Sequence, residues 1–166
     1  MRKPALIAAA GAATLAAGLL PFLVTSSADG AEPRSALKTR GVQYDAPGRD
    51  DNRCVGGNTK NEYLTIKNYS PTLTVNLKNY LVKDAAGNQF RFTATHHLQP
   101  GDYVKLRGGN GTDSDGGNVV YRDNCNFIWN NGGDTIYLYK PSGPISDRHS
   151  YRSSDDGNRD GYIRFH

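Results

Sequence analysis

Oxygen-bearing side chains recur at alternate positions near the end of the chain. In D-D-G-N-R-D-G-Y-I (155–163), Asp156, Asn158, Asp160, Gly161 and Ile163 fall at positions 1, 3, 5, 6 and 8 of a calcium loop. Alternate oxygen ligands around a glycine bend suit a hard cation. Such a loop needs a bidentate acid at position 12, whereas the sequence reaches position 11 at His166. Asp156, Asn158 and Asp160 alone would hold calcium only at about millimolar affinity. The preferred reading of 153–166 is therefore a disordered polar tail, with calcium as the one cofactor to consider.

Asp113 and Asp115, in T-D-S-D-G-G-N, form a second acidic, glycine-rich stretch. Turn chemistry accounts for it, because Asp and Asn bond their own backbone and Gly supplies positive φ. The surrounding run 108–118 holds five glycines and reads as a long exposed loop, a common place for contacts. The four histidines, His96, His97, His149 and His166, show no spacing used for zinc or for a nucleophile and its base. Neighbours such as His96 and His97 point to opposite faces of a strand and read as a polar strand end. Ser150 lacks a G-x-S-x-G elbow. No residue is assigned a catalytic role, and the chain reads as a non-enzyme.

Ten tyrosines interspersed with Lys and Arg offer stacking faces and phosphate contacts for nucleic acid or glycan. Tyr63, Lys67, Lys105, Arg107 and Arg122 are the candidates for a basic strip, with Asp113 and Asp115 as contacts from the glycine loop. Sheet alternation by itself puts about half of such tyrosines outward.

These residues need a sheet to carry them. N-E-Y-L-T-I-K-N (61–68) alternates cleanly and puts Leu64 and Ile66 on one face. Short strands follow at 74–77 and 80–84. A-A-G-N (85–88) turns a hairpin into a strand at 89–92, with Phe90 and Phe92 together. Val104 and Leu106 point inward from 103–107. Strand character resumes at 119–122 and 126–129, the latter ending on the single tryptophan, Trp129. A glycine turn then leads to 135–139, which buries Ile136 and Leu138, and a last strand lies at 145–151. Seven to nine short strands with glycine-rich corners and no helical period make an all-β antiparallel sandwich.

The first 28 residues read as an export signal: Arg2 and Lys3, an apolar run from Ala5 to Val24, and small residues before a cut after Ala28. An uncleaved anchor competes, but Gly11, Gly18 and Pro21 weaken such a helix. Cleavage leaves 138 of the 166 residues, enough for one core, and lowers the formal charge from +4 to +2 because two basic residues leave. So small a charge gives no strong nucleic-acid footprint. Residues 29–52, with Pro33 and Pro47 and little apolar periodicity, read as a flexible linker, so that the domain spans 53–152. The expected product is a secreted monomer, free of the membrane after cleavage. Outside the cell Cys54 and Cys125, the only cysteines, are expected to form a disulfide.

N-E-Y-L-T-I-K-N, the L-V-K-D-A-A-G-N-Q-F-R-F hairpin, L-Q-P-G-D-Y-V, G-N-G-T-D, W-N-N-G-G-D-T-I-Y-L-Y and the tyrosine of H-S-Y, in this order over 61–151, resemble the lamin-tail domain. The resemblance implies an immunoglobulin-like sandwich that tethers or binds and brings no catalytic residues. The expected role is an extracellular binding or structural module, whose partner is a protein, a glycan or nucleic acid. A calcium module and a nucleic-acid-holding accessory of a secreted nuclease are the alternatives.

Overall fold

A computed structural model describes residues 35–166. The expected signal and the start of the expected linker lie outside the described residues. Eleven strands are present in that range: β1 (Leu37–Gln43), β2 (Tyr63–Asn68), β3 (Val75–Asn76), β4 (Leu81–Lys83), β5 (Gln89–Arg91), β6 (His97–Leu98), β7 (Tyr103–Arg107), β8 (Val119–Tyr121), β9 (Gly133–Tyr139), β10 (Ile145–Arg152) and β11 (Tyr162–Arg164). They build a five-stranded sheet in the order β11-β1-β2-β7-β8, a four-stranded sheet in the order β10-β9-β4-β5, and a β3-β6 ribbon. All pairs are antiparallel except β7 with β8.

Alternation explains the core. Leu64 and Ile66 of β2, Val104 and Leu106 of β7, and Ile136 and Leu138 of β9 are all buried and join one apolar cluster drawn from both sheets. Trp129 and Phe92 belong to it, while Phe90 is partly buried against it and meets Phe92 edge-on at 5.1 Å. The result is an all-β sandwich with a single core, as expected from the strand pattern.

The flexible linker is corrected over its described part. β1 lies inside the five-stranded sheet, between β11 and β2, and Leu37 and Val42 are buried in the core. Five positions separate these two residues, which would put them on opposite faces of a regular strand. A bulge between Thr39 and Gly41 shifts the register, so that Leu37 and Val42 both point inward, since an inserted residue inverts the alternation that follows it. The bulge hides the strand from a period-two reading.

The disordered tail is corrected as well. Residues 162–164 form β11, an edge strand paired with β1, and Ile163 is buried. The Gly161 carbonyl accepts from Tyr44 N at 2.8 Å, and Arg40 O accepts from Phe165 N at 2.8 Å. One apolar residue among polar ones gives no periodic signal, so the strand exists because β1 offers it an edge. Residues 126–129, expected as a strand, are instead irregular chain. Their anchor is a carboxylate, described below.

Cys54 and Cys125 are disulfide-bonded, with Cα atoms 5.1 Å apart at a sequence separation of 71. The bridge joins the segment before β2 to the segment before β9. Closing a loop of that length contributes about 4 kcal/mol on the chain-entropy model.

Candidate functional site

Burying Leu64, Ile66, Val104 and Leu106 forces their neighbours onto the outer face of the five-stranded sheet. β2 presents Tyr63, Thr65 and Lys67 there, beside Tyr103, Lys105 and Arg107 of β7. Lys38 of β1 is opposite Lys67, Tyr121 of β8 opposite Arg107, and Arg164 and Tyr162 of β11 opposite Gly41 and Gln43. Five cations and four tyrosines share the face, and no carboxylate occupies an outward position on these strands.

The cations and rings are interleaved. Lys105 Nζ stands 4.6 Å from the Tyr63 ring centre and the Arg107 guanidinium 5.4 Å from it, while Tyr162 lies 6.3 Å from Tyr63. Lys67 Nζ is 5.2 Å and Lys38 Nζ 6.0 Å from the ring of Tyr69. Arg107 is oriented by donating from Nη1 to Lys60 O at 2.8 Å. Of the expected binding residues, Tyr63, Lys67, Lys105 and Arg107 thus come together on one surface.

Arg122 does not join them, and its assignment to the strip is corrected. It follows Tyr121, which points outward, so alternation turns Arg122 inward. Its Nε and Nη1 are buried without a hydrogen-bond partner, and burial lowers its pKa against the attraction of Glu62 and Asp84. Glu62 is fully buried. Its carboxylate accepts from Ile128 N at 3.0 Å and Trp129 N at 2.8 Å, which holds the irregular segment 126–129 against the core. Burial pushes Glu62 up to about 8, outweighing those two amides and Arg122.

Asp113 and Asp115 serve the loop 108–118 rather than the cationic face. Asp113 accepts from Tyr121 N at 2.8 Å. Asp115 accepts from His97 N at 3.1 Å and stands 3.3 Å from Nδ1 of the buried His96. The loop is tied down further by bridges from Gly109 to Asn124 and from Ser114 to Val119.

Asp156, Asn158 and Asp160 do not converge as a ligand set. Asp156 is turned inward, where its Oδ1 accepts from Asn158 N and Arg159 N and its Oδ2 from Gly161 N and the Tyr44 hydroxyl. Burial pushes the Asp156 pKa up, but these four hydrogen bonds together bring it below the usual carboxylate value. Asp160 accepts from Tyr162 N at 3.0 Å. The alternating oxygens close a loop on its own amides, as Asx turns do.

A different polar cluster forms where the sheets meet. Asp147, His149 and Tyr151 of β10 lie opposite Leu138, Ile136 and Asp134 of β9, so all three face inward. His149 Nε2 lies 3.4 Å from Asp147 Oδ2 and 3.0 Å from His166 Nε2. Burial lowers the His149 pKa, opposed by Asp147 and reinforced by His166 and Lys38. Asp147 and His149 carried an i, i+2 signal in the sequence, but the third member is seventeen residues away on another sheet's edge. Ser150, next to His149, points to the opposite face and hydrogen-bonds the Thr135 hydroxyl at 2.8 Å, so the two do not form a nucleophile–base pair.

Among the described residues no helix is long and apolar enough to cross a membrane. No curated protein matches the chain. The family model of the lamin tail domain matches residues 31–153. That span includes β1, in keeping with the place of β1 inside the sheet, and stops before β11. Covering well over half of the 166 residues, the match shows that this chain belongs to the lamin tail domain family.

Proposed function

We propose that the protein is an exported, non-enzymatic binding module that holds a polyanionic chain, single-stranded nucleic acid in the first instance, across the outer face of its five-stranded sheet. One observation carries the reading: Lys38, Lys67, Lys105, Arg107 and Arg164 share a face with four tyrosines and with no outward carboxylate. Fixed cations contact phosphates, and tyrosine faces accept stacked bases without regard to sequence. An ordered sheet face needs little rearrangement to receive such a ligand. The low overall charge supports local rather than global attraction, because the acidic residues lie elsewhere. Export is supported by the basic and apolar start of the sequence and by the disulfide, which persists in an oxidising compartment.

The test is fluorescence anisotropy of a labelled single-stranded oligonucleotide titrated at several salt concentrations. Binding should weaken with salt with a log–log slope of about −0.7 per contacted phosphate. Lys105→Glu with Arg107→Glu should flatten that slope and weaken binding, and Tyr103→Ala should weaken it with the slope unchanged. A sulfated glycan competing as well as the oligonucleotide would place the specificity in charge alone. No binding at low salt, or binding indifferent to the double charge reversal, would refute the reading.

A further inference from the structure

Asp147, His149 and His166 come from two different sheets' edges. β10 is the edge strand of the four-stranded sheet, and His166 follows β11, the edge strand of the five-stranded one. One potential ligand atom from each residue lies within 4.8 Å of the other two. The contacts converge on His149 Nε2, with Asp147 Oδ2 at 3.4 Å and His166 Nε2 at 3.0 Å. A neutral imidazole nitrogen carries at most one proton, so it cannot donate well to both. Three electron-pair donors therefore gather around one point without enough hydrogens to join them.

A metal ion would satisfy all three at once. Two imidazole nitrogens bound to a tetrahedral zinc at its usual bond length stand about 3.4 Å apart, close to the separations seen. Imidazole with carboxylate suits borderline transition ions and disfavours calcium, which takes oxygen ligands. The supporting residues are also in place. Asp147 Oδ2 accepts from both Thr39 N and Thr39 Oγ1 at 2.7 Å, which orients the carboxylate from β1. Phe165 stacks on His149 at 4.5 Å with planes 5° apart, fixing the imidazole plane, and Arg164 Nε donates to His166 O at 2.7 Å. Outer groups of this kind hold ligands ready in metal sites.

We propose that Asp147, His149 and His166 bind a divalent transition-metal ion, zinc fitting best, and that the ion clasps β10 to the chain after β11. Three protein ligands leave a coordination position for water or an external donor. Asp147 and His149 lie within the residues matched by the family model and His166 beyond them, so the site is completed by the chain that follows the matched span.

The experiment is calorimetric titration of the protein, free of any histidine tag, with zinc chloride, alongside cobalt as a spectroscopic probe. The expected result is one zinc per chain, a melting temperature that rises with zinc, and visible cobalt bands of a low-coordinate site. His149→Ala and His166→Ala should each abolish the bands, and Thr39→Val should weaken zinc binding about 10-fold. The His166 side chain is exposed, so His166→Ala leaves the folded core intact and its result is decisive. Absence of zinc binding, or His166→Ala binding zinc like the parent, would overturn the proposal.

Discussion

Replacing Glu62 with Gln should change how stability depends on pH more than it changes stability itself. The parent carboxyl is fully buried, and its pKa is raised from 4.5 to about 8. Between those values the unfolded chain releases a proton that the folded chain keeps. The unfolded state then binds fewer protons, and stability falls as pH rises. The contribution is complete below pH 4.5 and lost as pH climbs toward 8. At 1.36 kcal/mol per pH unit the whole window corresponds to about 5 kcal/mol as an upper bound. Gln does not titrate. It keeps one acceptor for Ile128 N or Trp129 N and turns its amino group toward the other, leaving a buried donor unsatisfied at about 1–3 kcal/mol. The variant should therefore be the less stable at low pH and the more stable near pH 8, so the two curves cross. Urea unfolding followed by the fluorescence of Trp129, which sits on the Glu62 carboxylate, measures both. Subtracting the curves cancels the four histidines common to the two proteins. A difference that stays constant across the window would refute the reasoning. A parent that gains on the variant only as pH rises toward 4.5, with the difference level above it, would show that the two amides keep Glu62 ionised.

Serine at Cys54 and Cys125 should lower stability by about 4 kcal/mol on the loop-entropy model, and reduction of the parent should reproduce the loss in a thermal melt. Gly41→Ala should loosen β11, because the added Cβ would meet the Tyr162 hydroxyl and come within 2.6 Å of Ile163 O. Overpacking against backbone costs about 1–3 kcal/mol, and hydrogen exchange should show it first at 162–164. Asp156→Ala should free residues 157–164 by removing the acceptor of three amides and the Tyr44 hydroxyl. Faster exchange there, with no restoration by millimolar calcium, is the expected outcome. Because Asp156 titrates below its usual 3.8, its contribution holds above that pH and disappears as pH falls through the lower folded value.

Strict alternation in β2, β7 and β9 made both faces of these strands legible: Leu64, Ile66, Val104, Leu106, Ile136 and Leu138 inward, Tyr63, Lys67, Lys105 and Arg107 outward. A side chain in a regular strand has only two directions to choose from, so the pattern is a local property of the residues. Cys54 and Cys125 needed only their number and an oxidising setting. Arg122 went astray because one step past a strand's last outward residue is enough to turn a charge into the core, where only Glu62 and Asp84 reward it.

The rest belongs to tertiary structure. β1 shows no period because its bulge spends one residue to bring Leu37 and Val42 to the same side, and a bulge is rewarded only by the neighbouring strands. β11 is a strand because β1 leaves an edge open to it. Asp156 looked like a cation ligand until Tyr44 and three amides closed on it. His149 lies on β10 and His166 seventeen residues on, just after β11, two strands that do not pair, and they meet because the edges of two sheets come together over one core. Alternation along a strand is written residue by residue, whereas the meeting of two edges is set by how whole sheets pack, and no local stretch of sequence contains it.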